Sequence, residues 1–123
     1  MTDSSPQPGH FYPLTPAVFN VLLALADGEK HGYAIMQAVN QRNAGGSCLG
    51  PGTLYGIIKR LLADGWIDEV DERPDPALDD ERRRYYCLTD LGQRVASAEA
   101  ERLARLVFAA RKQGLLPRLG GAG

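Results

Sequence analysis

Apolar positions fall at helical spacing in four stretches of this chain and at strand spacing in two. The third helical stretch is the best delimited. From Pro51 to Trp66, the residues Leu54, Ile57, Ile58, Leu61 and Leu62 follow the i, i+3, i+4, i+7, i+8 order of a helix that buries one stripe. Pro51 suits the first turn, where a missing N–H costs nothing, and Gly65 suits the left-handed position that ends a helix. On the opposite side, Gly56 and Ala63 centre a smooth face. Lys59 and Arg60 flank it, and Thr53 and Tyr55 stand at its shoulders. Such a face can approach a phosphate-lined groove closely.

Two helices precede it. Thr15 caps the first and Pro16 takes its first position. Val18, Val21, Leu22 and Leu25 form its stripe, and Phe19, Leu23 and Ala26 widen that stripe, so this helix is either central or meets another subunit. Asp27 and Gly28 end it, Glu29 and Lys30 read as a polar turn, and His31 and Gly32 lead into a second helix running out by Asn43. Tyr33, Ile35, Met36, Ala38 and Val39 supply that helix with buried contacts, and His31 reads as a structural or capping residue. Three short helices, the last one basic outside, are the order of a helix-turn-helix unit.

After Gly65 the period changes. Trp66, Ile67 and Val70 begin a strand, the stretch from Arg73 to Glu81 holds Pro74 and Pro76 and reads as a loop, and Arg84 to Leu88 forms a second strand. Together they predict a two-stranded hairpin, or wing, with Tyr86 and Leu88 facing the core. Thr89 then caps a helix from about Asp90 to about Gln113, in which Ala96, Ala100, Leu103, Val107 and Ala110 repeat at alternating four and three, as in a coiled-coil seam. A seam placed after the core is closed implies a second copy of the chain. The fold class expected is therefore mainly α with a small β hairpin: a winged helix-turn-helix over 14–89 and a dimerisation helix over 90–115. Residues 1–13 and 116–123, rich in Pro, Gly and small polar residues, read as a flexible arm and tail.

At 123 residues and 44% hydrophobic composition, one soluble domain with no membrane span or signal peptide is expected, and a cytoplasmic location follows by default. The net charge of −1 conceals blocks. Nine carboxylates and a single cation, Arg73, lie between Asp64 and Glu81, and Arg82, Arg83 and Arg84 follow at once. Local field rather than net charge decides phosphate binding. Of those arginines, Arg83 is the freer phosphate ligand by strand alternation, and Asp79, Asp80 and Glu81 compete for all three.

Enzyme readings fail on specific residues. GGSCLGPGT has Gly52 where a nucleotide-binding loop needs its lysine. Cys48 and Cys87 have no histidine tied to them, and the acids at 79–81 sit on a loop with nothing to desolvate them. No metal site or cofactor is expected from two cysteines and two histidines at these spacings. Oxidation of Cys48 or Cys87 is an alternative switch, and a winged helix that binds only protein is an alternative use of the fold.

Three linked motifs, LTPAVFNVLLALADGEKHGYAI, LGPGTLYGIIKRLLADGWI and DERRRYYCLTDLGQRV, resemble the PadR-type family of winged-helix transcriptional regulators over roughly Leu14 to Leu115. Cys48 and Cys87 are not hallmarks of that family. The resemblance implies a homodimeric repressor on a palindromic double-stranded operator. DNA contacts then fall to Thr53, Tyr55, Lys59, Arg60, Arg82, Arg83 and Arg84, with Tyr33 burying its ring and turning its hydroxyl to the backbone. Pairing falls to Phe19, Leu23, Ala96, Ala100, Leu103, Val107 and Ala110. A small hydrophobic effector would sit between subunits against Phe19, Leu23, Leu103, Leu106 and Val107.

Overall fold

Thr15 opens the first helix, α1 (Pro16–Leu25), where its hydroxyl accepts from the Val18 amide at 3.2 Å and Pro16 fills the first turn. The computed structural model describes residues 14–42, 49–70 and 84–117, so the arm, Cys48, Arg82, Arg83 and the acids at 79–81 lie outside the described residues. Helix α1 is central. Val18, Val21, Leu22, Ala24 and Leu25 are all buried, while Phe19 is half-buried and Leu23 is 36% exposed.

The polar turn expected at Glu29–Lys30 gives way to a short strand, β1 (Lys30–His31). It pairs antiparallel with β3 (Tyr85–Leu88), Lys30 opposite Tyr86 and His31 opposite Tyr85, and β3 pairs on its other edge with β2 (Ile67–Val70). The sheet thus has three antiparallel strands in the order β1-β3-β2 rather than the two of a lone hairpin. The backbone groups on the inner edge of β3 need partners, and β1 supplies them. A two-residue strand is too short to leave an alternation in the sequence. At its first residue, Lys30 Nζ lies 2.5 Å from the Asp27 carboxylate, and this contact holds the Asp27 carboxyl below its usual range.

Helix α2 (Gly32–Arg42) is capped as expected: His31 Nδ1 accepts from the Ala34 amide at 3.1 Å. Helix α3 (Pro51–Asp64) buries Leu54, Ile58 and Leu61 and stops at Gly65, whose φ of 78° is the left-handed value that favours glycine. Trp66 follows and is fully buried in the core. Helix α4 (Asp90–Lys112) starts from Thr89, whose hydroxyl accepts from the Gly92 amide at 3.0 Å. Its first half buries Gly92, Val95 and Glu99 against the domain, and its second half emerges from it.

One core unites these elements. Leu22, Ile35, Leu54, Leu61, Trp66, Ile67 and Val95 are essentially inaccessible and draw from every helix and from β2. Each such aliphatic side chain contributes roughly 1.5–3 kcal/mol of burial. Among the described residues, no helix is long and apolar enough to cross a membrane.

Candidate nucleic-acid interface

Burial of Leu54, Ile58 and Leu61 forces the rest of α3 outward. Thr53, Gly56, Lys59, Arg60 and Ala63 are all exposed there, as the apolar spacing predicts. A Cβ added at Gly56 would meet nothing within 4 Å, so internal packing gives no reason for glycine at that place. A mid-helix glycine costs roughly 0.5–1 kcal/mol against alanine, and a flush outer surface is what it provides in return. Arg60 Nε lies 3.6 Å from Asp64 on the same face, with the Arg60 side chain 59% exposed. So open a pair contributes little and can be exchanged for a phosphate contact.

Tyr55 behaves differently from its neighbours. It is half-buried, and its hydroxyl rests against Gly32 at the start of α2, where any Cβ would collide with it. The side chain wedges α3 against α2 instead of standing on the outer face. Tyr33 departs from expectation in the opposite sense: the residue is 46% exposed rather than buried, and its ring stacks on His31 with centroids 6.5 Å apart. It also lines an open concavity of about 380 Å³ with Met36, Gln37, Asn40 and Gln41. The helical period puts residue 33 between the buried and open faces of α2, a borderline place where periodicity does not decide which way a ring turns.

On the wing, Arg84 is exposed and its Nε lies 3.6 Å from Glu69 on the neighbouring strand. Tyr86 and Leu88 face inward as expected, Tyr86 buried and Leu88 packed on the core. Cys87 sits opposite Asp68, and burial together with Asp68 and Glu29 pushes its thiol above the usual range. These surroundings do not favour its thiolate, the form that oxidants attack.

Several residues that shape this surface carry no signal at the sequence level. Asn40 holds the backbone of Leu49 at both ends, its Nδ2 donating to the Leu49 carbonyl at 3.1 Å and its Oδ1 accepting from the Leu49 amide at 2.7 Å. This fixes where the chain returns to begin α3. Glu99, 2% exposed, accepts from Arg102 through both oxygens at 2.8 and 2.6 Å. The Arg102 hydrogen bonds are the main cause holding its carboxyl below the usual range, opposed by burial and helped by the Leu14 backbone. Glu99 thereby ties α4 to the chain just ahead of α1.

The residues expected to pair subunits divide. Phe19 and Ala96 pack on the domain's own core. Leu23, Leu106 and Val107 are 36%, 54% and 38% exposed, Ala100 is exposed, and Leu103 and Ala110 are half-covered. Phe108 is 64% exposed, with Lys112 Nζ 5.4 Å from its ring centroid.

The family model described as the transcriptional regulator PadR-like family matches residues 21–98, over half of the chain. An uncharacterised 37.1 kDa protein in a transposon of Streptomyces fradiae is 43% identical over 86 residues, 70% of this chain. The match spans only 22% of that relative's length. Among solved structures, a PadR-like regulator of Bacillus cereus superposes with a TM-score of 0.67 at 16% identity, over 82% of this chain and 93% of that one. A PadR family regulator of Clostridium difficile gives 0.63 at 21% identity, over 77% and 94%. Bacillus subtilis PadR in complex with operator DNA gives 0.58 at 21% identity, over 70% and 46%. At these identities the structural likenesses establish a common fold.

Proposed function

Since the chain belongs to the PadR-like family of transcriptional regulators, a class of regulators rather than of enzymes, we propose that it represses transcription as a homodimer bound to a palindromic operator. The observation that carries this reading is the outer face of α3, where Lys59, Arg60 and Thr53 surround a flush centre at Gly56 while Leu54, Ile58 and Leu61 are buried inside. Such a helix enters a major groove, its cations reaching phosphates or guanine edges and its hydroxyl a phosphate. Tyr55 serves by wedging α3 on α2, and Tyr33 and Arg84 border the interface. Bacillus subtilis PadR, of the same fold, binds operator DNA.

Pairing is assigned to the distal half of α4 together with the exposed Leu23 of α1. A seam in which Ala100 and Val107 are exposed and Leu103 and Ala110 are only half-covered in a single chain supports this. Two copies would set two α3 helices about 34–36 Å apart, in successive major grooves on one face of the duplex. A small apolar effector lodged against Phe19, Leu23, Leu103, Leu106 and Val107 would alter that separation and release the DNA.

The test is titration of the protein against a duplex selected from a randomised pool, across salt concentrations. Affinity is expected to fall by about a thousandfold or more between about 50 and 200 mM salt, as counterions return to the phosphates. Binding that ignores salt, or retention of no duplex, refutes the reading.

A further inference from the structure

The cations sit on α3 and the apolar seam on α4, yet α3 packs chiefly on α2 and β2, and α4 on α1 and β3. The two helices meet end to end. The α3 cap closes with Gly65 and Trp66 donating to the Leu62 and Leu61 carbonyls at 3.1 and 3.0 Å. The Gly65 carbonyl then accepts from the Thr89 hydroxyl at 2.7 Å, and the Trp66 carbonyl accepts from the Thr89 amide at 3.1 Å. The same hydroxyl accepts from the Gly92 amide to start α4. Gly92 is buried, and a Cβ there would collide with the Trp66 carbonyl oxygen, so the first turn of α4 lies directly on the peptide that follows α3. Trp66 itself is fully buried in the core.

The geometry points to Thr89 as a positioning residue for DNA recognition: its hydroxyl, donating to Gly65, sets the angle between α3 and α4 and so the separation of the two α3 helices in the dimer. This rests on the homodimeric DNA-binding reading above. An N-cap needs only an acceptor for the Gly92 amide. The donor toward Gly65 is additional, and it is the side-chain link that joins the backbone contacts at Trp66 in coupling the groove-reading helix to the pairing helix. A Thr has both; an Asp has the acceptor alone.

Thr89→Asp and Thr89→Ser in the full chain separate the two roles. The probe is a duplex with inverted half-sites recovered by the unaltered protein from a randomised pool, with two versions whose spacer is one base pair longer or shorter. The unaltered protein should prefer its own spacer by about tenfold or more, a coupling of ordinary size. Thr89→Asp should keep the dimer mass and the melting temperature while that preference falls below about threefold, and Thr89→Ser should restore it. A Thr89→Asp protein as selective as the unaltered one overturns the proposal and leaves DNA binding standing. So does a Thr89→Asp protein that unfolds or dissociates, since the hydroxyl would then be holding the fold rather than the angle. Failure of the unaltered protein to retain any duplex removes the underlying reading, and this proposal with it.

Discussion

The outer face of α3 and the distal half of α4 are both left open by the folded chain, and they are open in opposite ways. Helix α3 shows a flush centre with two cations and a hydroxyl around it, whereas α4 beyond Glu99 shows Leu106, Val107 and Phe108, with Leu103 half-covered beside them. Water solvates the first without cost and the second at a cost that grows with apolar area. On the proposed reading, the cationic face meets a polyanion that need not always be there, and the apolar seam meets a permanent partner.

The sharpest break of that contrast is Leu103→Asp, which places a charge in the seam and nothing on α3. Light scattering should report a monomer, and duplex affinity should drop about a hundredfold or more as the two half-sites lose their linkage. A persistent dimer would move the pairing surface elsewhere. Next in size is the double change Lys59→Ala and Arg60→Ala, which strips both cations from the outer face of α3. Removing each cation should weaken binding by about 1–3 kcal/mol and flatten the salt dependence, with the dimer mass untouched; unaltered binding would remove α3 from the interface.

Glu99→Gln tests the border between the buried and the open halves of α4. Breaking the charged pair should cost about 1.5–3 kcal/mol of stability at neutral pH, toward the low end because Arg102 is one-third exposed. The folded carboxyl titrates below its usual range, so its contribution is complete above about pH 4.3 and disappears as pH falls through the folded value. Denaturation of both proteins should show the gap at neutral pH and its closing in acid; a gap independent of pH would mean that packing, not charge, is what Gln disturbs. The smallest effect has a sign that packing alone does not give. Gly56→Ala should stabilise the protein by roughly 0.5–1 kcal/mol while weakening duplex binding severalfold, and stabilisation with undiminished binding would show that the flush centre of α3 is not used.

Much of the fold is legible in the sequence because the helix ends are written in residues with local effects. Thr15 with Pro16, Pro51 with Gly65, and Thr89 mark their boundaries without reference to the rest of the chain. The exposure of Lys59 and Arg60 follows from the period of the apolar stripe alone. What is not legible depends on neighbours distant in sequence. Strand β1 exists because β3 has an edge to fill. Glu99 is buried in a way its charge argues against, and its partners include the backbone of Leu14. Gly92 reads as a weak spot in a helix until Trp66 is laid against it. Tyr33 and Tyr55 both flank helix faces, where a period cannot say which way a ring turns.

The pairing of His31 with Tyr85 also bears on the order of folding. Contacts among α1, α2 and α3 close short lengths of chain, but β1 can reach β3 only after the intervening residues have been gathered in, and that closure entropy must be met before any ladder bond forms. The helices should accordingly gain amide-exchange protection first in a refolding experiment, with the sheet following. In the native ensemble the same two-residue strand is the expected point of earliest opening, so the amide protons of Lys30 and His31 should exchange with solvent well before those of α1.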